Sequence, residues 1–367
     1  MREPDYNRIL MALKREGEPD KVPFYEHLVD KEIIEAVLGK PIPTIPGALS
    51  GTYFEPPMKH KEMHVLALIK FYRKLGYDYV PFEIPLKLSR TNIEQTKDLA
   101  RYSRGLRAWQ SESKGTITTI EEFENYPWPE EPEEAADLTY IELFDKHLPE
   151  NMGLIAGSCG GVFENVSWLM SLTHLLKAVY FDKSLVEKMF EKIGSLIYKV
   201  DELIVKSSEK LIALRMGDDL GYIQGTFLPP AMLRKYVFPW YKRLVDLAHS
   251  KGLPFILHSC GNLRRIMDDL INIGIDAKHS FEDKIEPVWE AKEKYGDKIA
   301  LLGGVDVNKL ATMPNDKLRR HVRFVLERCA PGGGYALGSG NSITNYIPIE
   351  NYLAMLEEGE KYKESSS

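Results

Sequence analysis

The sequence predicts an α/β protein, a (β/α)8 TIM barrel, from two observations. Short β-rich apolar runs alternate with amphipathic segments of helical length, which is the pattern of parallel β/α units. There are eight such runs, and eight parallel strands with eight helices favour a closed barrel. An open dinucleotide-binding sheet is disfavoured because no Gly-x-Gly-x-x-Gly follows the first run, while Gly332-Gly333-Gly334 precedes its strand.

The predicted strands are apolar runs, and those after the first follow a helix that ends in a turn signal such as Lys74-Leu75-Gly76 or Ile273-Gly274. In chain order they are residues 22–27, 77–84, 153–160, 211–217, 254–258, 275–280, 299–305 and 334–338. Residues 86–150 interrupt the alternation, and we expect them to insert one or two hairpins after strand 2, over the barrel mouth. Residues 1–367 are then a single domain with an N-terminal helical extension.

Composition narrows the classes of partner. The 367 residues carry 48 Lys and Arg against 54 Asp and Glu, a net charge of −6, and no window clusters basic residues as nucleic acids or anionic membranes require. Three cysteines are too few for a secreted disulfide framework, so we expect a cytoplasmic protein. No apolar stretch approaches the ~20 residues of a membrane span, and the polar N-terminus is unlike a signal peptide. Small molecules or proteins are the expected partners.

Catalytic groups of a barrel lie at the C-terminal ends of its strands. Polar or ionisable residues follow all eight predicted strands, which predicts a polar pocket at that face. These residues are Glu26 and His27, Glu83, Ser158 and Cys159, Asp218 and Asp219, His258 and Cys260, His279 with Glu282 and Asp283, Asp306, and Ser339 with Asn341.

His258 and Cys260 form the sharpest local feature. Two residues apart at a strand end, they point to one side, and Zn²⁺ accepts both imidazole and thiolate. A third ligand would come from another strand end, with His279 or Glu83 as candidates. The alternative is a hydrogen-bonded histidine beside a buried free thiol. Cys329 is disfavoured because it ends a helix on the opposite face.

The pair Asp218-Asp219 follows the fourth predicted strand, so one carboxylate could face the pocket while the other caps a helix. If Asp219 and Glu83 share a desolvated pocket, each raises the pKa of the other and one becomes a general acid. The glycine-rich run 157–165 could receive an anion on its amides, or simply form a tight turn. Tyr222 and Phe227 form an apolar rim for a substrate, although helix packing also explains them.

Several segments together resemble the uroporphyrinogen decarboxylase superfamily, and the likeness covers nearly the whole chain. It implies a barrel, as does the strand count, and often a homodimer. The matching segments are Asn7-Arg-Ile-Leu-Met-Ala-Leu-Lys14, Glu18-Pro-Asp-Lys-Val-Pro-Phe24, Gly217-Asp-Asp-Leu-Gly221, Phe238-Pro-Trp-Tyr-Lys-Arg-Leu-Val245, His258-Ser-Cys-Gly-Asn262 and Gly303-Gly-Val-Asp306.

The resemblance implies either a cofactor-free decarboxylase or a zinc methyltransferase that works with a corrinoid protein. The decarboxylases carry an arginine pair after strand 1, whereas Glu26 and Asp30 stand in that stretch here and would repel a polycarboxylate. Their strand-2 aspartate is similar in position to Glu83, and their histidine after strand 8 falls at Asn341. The methyltransferase branch has the His-x-Cys matched by His258 and Cys260, but its second cysteine is replaced by Ser339.

We therefore expect a zinc-dependent methyltransferase that moves a methyl group between a small substrate and a corrinoid protein. His258, Cys260 and His279 are the expected metal ligands, and Glu83 and Asp219 the catalytic residues. The alternatives are a decarboxylase of uroporphyrinogen or of a related substrate, and a non-catalytic binding barrel. The expected substrate-binding residues are Glu26, Asp218, Tyr222, Asp306 and Asn341.

Overall fold

The computed structural model describes residues 2–45 and 53–362. Its main sheet has seven parallel strands, and two antiparallel hairpins lie outside it. The strands in chain order are β1 (Tyr79–Ile84), β2 (Ile93–Lys97), β3 (Leu106–Gln110), β4 (Gly153–Ser158), β5 (Leu211–Gly217), β6 (Gly221–Tyr222), β7 (Gly225–Thr226), β8 (Phe255–His258), β9 (Ala277–His279), β10 (Ala300–Leu302) and β11 (Tyr335–Ala336). The sheet order is β1-β4-β5-β8-β9-β10-β11.

Helices join successive strands of the sheet, which is the connection that parallel pairing requires. Within the described residues, every helix is too short or too polar to cross a bilayer. The helices are α1 (Tyr6–Lys14), α2 (Lys31–Leu38), α3 (Met58–Lys74), α4 (Ile120–Asn125), α5 (Pro132–Ala135), α6 (Thr139–His147), α7 (Val162–Met170), α8 (Leu172–Phe181), α9 (Lys183–Ser207), α10 (Pro230–Tyr236), α11 (Phe238–His249), α12 (Met267–Ile273), α13 (Val288–Tyr295), α14 (Val307–Thr312), α15 (Asn315–Cys329) and α16 (Ile349–Lys361).

Seven of the eight predicted strands are confirmed; 211–217 has its predicted bounds, and the other six are shorter than predicted. The prediction of a full strand at 22–27 is wrong, because this segment forms only an isolated parallel bridge between Phe24 and Leu337, next to β11. One proline explains the short pairing in part: Pro23 has no N–H to donate, although its carbonyl accepts from Leu337 N at 2.8 Å. The hydroxyl of Tyr79, in β1, bonds the backbone N–H of Glu26 at 3.0 Å. The two ends of the sheet therefore approach each other, and the sheet is curled.

The insertion at 86–150 contains one hairpin, β2 with β3, and the helices α4, α5 and α6. Residues 116–120, Thr-Ile-Thr-Thr-Ile, alternate in polarity as a strand does, but they do not form one. They lead into α4, which Thr119 caps by accepting a hydrogen bond from Glu122 N at 3.1 Å. Asn345, beyond β11, accepts from Arg107 of the hairpin at 2.5 Å, so the insertion is tied to the carboxyl end of the sheet. The short hairpin of β6 and β7 was not predicted.

Burial on both faces explains the composition of the central strands. All seven residues of β5 are buried, as are all six of β4, because helices cover the outside while side chains fill the inside. Gly157 is required by this packing, since a Cβ there would come within 1.9 Å of the carbonyl oxygen of Arg215. Arg215 lies inside the sheet with 1% of its side chain exposed.

Candidate active site

The register of the sheet brings three predicted site segments into one row. Gly217 pairs with His258, and His258 pairs with His279, so the carboxyl ends of β5, β8 and β9 are level. Asp219 and Cys260 follow directly in sequence and extend the same edge. The sequence rule that placed polar groups at one face is confirmed for these residues.

His258 and His279 contact each other through their ring nitrogens, with 2.7 Å between the two Nδ1 atoms. The other nitrogen of His279, Nε2, lies 3.0 Å from the carbonyl oxygen of Ser339, which only accepts, so Nε2 carries the proton. Burial lowers the pKa of His279 to about 3, and the ring is neutral. Its Nδ1 is then the acceptor and His258 Nδ1 the donor. This assigns an unprotonated Nε2 to His258.

The free nitrogen of His258 faces a thiol and a carboxylate. Cys260 Sγ lies 3.5 Å from Nε2, and Asp219 Oδ1 lies 3.6 Å from it. Asp219 also accepts a hydrogen bond from Cys260 N at 2.8 Å, and the Asn341 amide donates to Cys260 Sγ at 3.1 Å. The predicted residues Asp219, His258, Cys260 and Asn341 thus form one cluster.

Among the described residues, two groups of three side chains each bring their possible ligand atoms within 4.8 Å of one another. One group is Asp219, His258 and Cys260. The other consists of His27, His258 and His279. In that group the rings of His27 and His258 stack at 3.9 Å with 12° between their planes. A metal lies in the plane of each imidazole that binds it, and stacked rings do not share such a position. The donor arrangement favours the group with Asp219 and Cys260.

Glu83, at the end of β1, belongs to a second cluster. Arg215 NH2 lies 3.2 Å from its Oε1 and His27 Nε2 lies 3.4 Å from the same oxygen, while the thiol of Cys159 donates to Oε2 at 3.3 Å. Arg215 NH1 also donates to the carbonyl of His27 at 2.6 Å. Glu83 is therefore a carboxylate held by a buried cation, and Asp219 does not contact it within hydrogen-bond reach.

The structure does not bring Glu83 and Asp219 together as the expected pair of carboxyl groups. Burial raises the pKa of Asp219, and hydrogen bonds from Cys260 oppose the shift. Glu164 in α7 is instead the carboxyl that lies among like charges: burial, and then the charges of Asp219, Asp218 and Glu83, raise its pKa well above the usual range. The sequence offered no signal for Glu164, because a glutamate in a first helical turn is ordinary.

Asp218 points away from the cleft into the protein. Its two oxygens accept from Phe163 N at 3.0 Å and Glu164 N at 2.7 Å, and Tyr241 donates to it at 2.8 Å. It therefore occupies the amides at the start of α7, where the glycine-rich run 157–165 had suggested an anion site. One aspartate of the pair does bind a helix start, but the helix follows β4 rather than β5. Burial raises the pKa of Asp218 to about 7.

The other expected substrate-binding residues differ in their burial and hydrogen bonding. Glu26 is fully buried and accepts from Ser339 N at 2.8 Å and Ser339 Oγ at 2.5 Å. Asp306 accepts from Asn308 N at 2.9 Å as the N-cap of α14. Tyr222 is 46% exposed and stacks on Phe227 at 5.4 Å, which agrees with the expected apolar rim.

Sequence reasoning missed Arg215 and Lys278, two buried cations in strands. Arg215 interrupts the apolar run of β5, and a charged residue inside a predicted buried strand is a sequence feature that could have marked it as a candidate site residue. Lys278 in β9 donates to the carbonyl of Ser280 at 2.5 Å, its Nζ lies 4.1 Å from the ring centroid of Phe281, and burial lowers its pKa to about 8. Cys329 is buried at the end of α15, as predicted for a structural thiol.

The sequence is similar to curated proteins of two enzyme classes. The chain is 31% identical over 149 residues to "Methylcobamide:CoM methyltransferase MtaA" of Methanosarcina barkeri (strain Fusaro / DSM 804), covering 40% of this chain and 42% of that protein. It is 23% identical over 195 residues to "Uroporphyrinogen decarboxylase" of Actinobacillus succinogenes, covering 53% of each. The matched segments thus span about half of these relatives' length, 42% and 53%.

A solved structure, "methyltransferase from Methanosarcina mazei", superimposes with a TM-score of 0.69 at 18% identity, covering 99% of this chain and 100% of that one. At that identity it supports the fold alone. The family model described as "Uroporphyrinogen decarboxylase (URO-D)" matches residues 111–362, more than half of the sequence. The chain belongs to the uroporphyrinogen decarboxylase family.

Proposed function

We propose that this protein is a zinc-dependent methyltransferase that moves a methyl group between a small substrate and a corrinoid carried by a partner protein. The observation that carries the proposal is the convergence of Asp219, His258 and Cys260 at the carboxyl edge of the sheet. Similarity to a methylcobamide:CoM methyltransferase and to a methylated-thiol–coenzyme M methyltransferase supports this reaction class.

The donor atoms fit zinc by type and by spacing. Tetrahedral zinc, with bonds of about 2.0–2.3 Å, separates its donors by roughly 3.3–3.8 Å, and leaves a fourth position for substrate when the protein supplies three ligands. The Nε2 of His258 lies 3.5 Å from Cys260 Sγ and 3.6 Å from Asp219 Oδ1. We propose Asp219 as the third ligand instead of His279, because both ring nitrogens of His279 are already engaged.

Bound zinc lowers the pKa of a coordinated thiol or polarises a methyl donor. The surrounding residues have their own roles in the proposal. His279 fixes the tautomer of His258, and Asn341 donates to the sulfur of Cys260. Glu83, held by Arg215, accepts or returns a proton beside Cys159, and Tyr222 offers an apolar edge to the substrate.

The fold proposal is a closed barrel in one domain. The segment 22–27 lies next to β11 through the bridge of Phe24 with Leu337, and the hydroxyl of Tyr79 in β1 reaches the backbone of Glu26. We propose that these contacts complete an eight-stranded ring. The mouth of this ring holds the Asp219, His258 and Cys260 cluster, where the partner's corrinoid would approach.

Metal content and methyl transfer together test the function. Protein purified without chelator should contain one zinc per chain, and H258A and C260S should lose it; C329A, which removes the buried distant thiol, is the matched control. With methylcobalamin as donor, zinc-loaded protein should methylate a thiol, followed as loss of the methylcobalamin spectrum. Zinc far below one per chain, unchanged in H258A, would refute the metal assignment.

The second candidate is a decarboxylase, because curated uroporphyrinogen decarboxylases match over up to 66% of their length. This reaction needs no metal or partner. Formation of coproporphyrinogen from uroporphyrinogen by the metal-free protein would reverse our ranking. Against this reaction, the guanidinium of Arg215 is engaged by Glu83 and is not free for a substrate carboxylate. The segment 22–27 offers Glu26, buried against Ser339, and no arginine.

A further inference from the structure

The ring of His27 lies flat against the ring of His258, which is the histidine of the proposed metal cluster. The two ring centroids are 3.9 Å apart, and the ring planes differ by 12°. Both side chains are nearly inaccessible to solvent, with 6% of His27 and 8% of His258 exposed. One face of the His258 imidazole is therefore covered by a second flat ring.

Arg215 holds His27 in this position in two ways. One of its guanidinium nitrogens donates to the carbonyl oxygen of His27 at 2.6 Å, which fixes the backbone. Another lies 3.2 Å from Oε1 of Glu83, and the same oxygen lies 3.4 Å from Nε2 of His27. The His27 ring is thus anchored at its edge by a carboxylate that a buried arginine holds.

The hydrogen bond of His258 with His279 does not by itself fix the orientation of the His258 ring. That bond joins the two Nδ1 atoms at 2.7 Å, and a ring held at one edge can still tilt about the line of the bond. A flat neighbour packed on the ring face opposes this tilt, because tilting would bring the two rings into overlap. His27 and His279 together therefore fix the plane of the His258 ring.

The tilt of the His258 ring decides where its Nε2 points. The lone pair of an imidazole nitrogen lies in the ring plane. A tilt therefore turns it away from Cys260 Sγ, at 3.5 Å, and from Asp219 Oδ1, at 3.6 Å. A metal site needs its ligands held within about 10–20° of the productive direction. His27 contributes to that requirement without being a ligand, since its own ring is stacked on His258.

The buried nitrogens of His27 support a role for its flat face. Its Nδ1 is inaccessible to solvent and makes no hydrogen bond within the described part of the chain. Such an unsatisfied nitrogen is costly, so hydrogen bonding alone does not account for a histidine at this position. The stacked face and the contact of Nε2 with Glu83 are the interactions that offset the cost.

We propose that His27 is a positioning residue, whose ring sets the tilt of His258 and with it the direction of the nitrogen that faces Cys260 and Asp219. One pair of stacked rings then links the Glu83 cluster to the metal cluster. The consequence for a metal rests on the proposed function. The orientation of His258 does not, and it can be measured in the metal-free protein.

Nuclear magnetic resonance of metal-free protein with isotope-labelled histidines tests the orientation. The Nδ1 proton that His258 shares with His279 gives a hydrogen-bonded signal, which is assigned by its loss in H258A. H27L fills the space without a flat face, and we expect exchange of this proton with water to become about tenfold faster. H27F keeps a flat ring and should stay within about twofold of the wild-type rate. H64L, at a buried histidine that bonds the carbonyl oxygen of Pro43 at 2.9 Å, is the control and should leave the signal unchanged.

Cobalt(II), whose visible spectrum reports its coordination geometry, tests the consequence for the metal. H27L should bind cobalt about tenfold more weakly than wild type and with shifted visible bands, whereas H27F should keep the wild-type bands. E83Q leaves His27 in place but weakens its anchor, and it should show a smaller change of the same sign. It serves as the second variant if thermal unfolding shows that H27L is not folded.

Wild-type proton exchange and wild-type cobalt bands in H27L, or in E83Q if H27L is unfolded, overturn the inference about His27. If the wild type binds cobalt, that result leaves the proposed metal site standing. Faster proton exchange in H27L, with no cobalt bound by the wild type, supports the role of His27 and refutes the metal site instead.

Discussion

His258 and His279 are joined nitrogen to nitrogen, with their Nδ1 atoms 2.7 Å apart. The carbonyl of Ser339 accepts from the far side of His279 and thereby sets which nitrogen of each ring carries a proton. Ser339, His279 and His258 thus form a series of hydrogen bonds that leaves the unprotonated Nε2 of His258 facing Cys260 and Asp219. Such an outer partner is how proteins orient histidine ligands.

The first prediction concerns this outer histidine. H279A should keep the three proposed ligands but release the tautomer of His258, so we expect zinc affinity to fall about 10- to 100-fold. Competition with a zinc chelator measures the affinity. D219N should weaken zinc binding more than H279A does. If H279A abolished binding and D219N had no effect, His279 would be the ligand, as the sequence suggested.

The second prediction is a pH dependence of stability from Glu26. Burial raises its pKa in the folded chain from 4.5 to about 8, partly offset by hydrogen bonds from Ser339. Its contribution is therefore complete below pH ~4.5 and is lost as the pH rises toward 8, because the unfolded chain releases the proton first. The loss is up to about 1.4 kcal/mol per pH unit.

Urea unfolding of wild type and E26Q between pH 5 and 8 measures this effect. The difference in unfolding free energy, wild type minus E26Q, should fall steadily with pH. E94Q, at an exposed strand position, controls for general charge effects. A constant difference between wild type and E26Q across this range would contradict the assignment.

The third prediction separates capping from substrate binding at Asp306. Loss of the cap in D306A should lower the unfolding free energy by about 0.5–2 kcal/mol, whereas D306N, which still accepts from the helix start, should stay near wild type. Because Asp306 is engaged by Asn308 N and Lys309 N, neither variant should change KM. A large rise of KM in stable D306N would restore the substrate role that the sequence suggested.

The fourth prediction uses two glycines as a matched pair. A Cβ on Gly161 would lie 2.2 Å from the Cβ of Asp218, whereas a Cβ on Gly225 meets nothing within 4 Å. G161A should therefore cost about 1–3 kcal/mol by displacing Asp218 from the start of α7. G225A should change stability by no more than about 0.5 kcal/mol. Chemical denaturation of both variants gives the comparison, and equal losses would show that the contact with Asp218 is unimportant.

The fifth prediction addresses the buried pair of Glu83 and Arg215, in which NH2 lies 3.2 Å from Oε1. R215M leaves a buried carboxylate without its cation, and we expect a loss of about 3–5 kcal/mol in unfolding free energy. Adding E83Q to R215M should recover part of that loss, since no unpaired charge is left. Additive losses in the double-mutant cycle would show that the two side chains are not coupled.

Much of the fold could be predicted from the sequence, because strands that are buried on both faces consist mainly of apolar residues. The apolar runs of β4, β5 and β8 are flanked by amphipathic helices, and that alternation predicts parallel strands whichever way they pack. The strand predicted at 22–27 is longer than the pairing observed there, because the apolar content of a segment does not show how much backbone pairing a proline allows. The helices of 86–150 were partly hidden, since an exposed insertion has weak apolar periodicity.

The site, like the fold, could be predicted only in part from the sequence. The sequence by itself determined the family, the face of the sheet that carries chemistry, and the pair His258 and Cys260, whose relation is local along one strand. Only the tertiary structure decided that Asp219 lies beside these two residues and that Asp218 turns inward to α7. Both outcomes depend on distances between residues that are far apart in sequence, and on which of the two carboxylates is hydrogen-bonded to another helix. The spacing of residues along the chain does not give either.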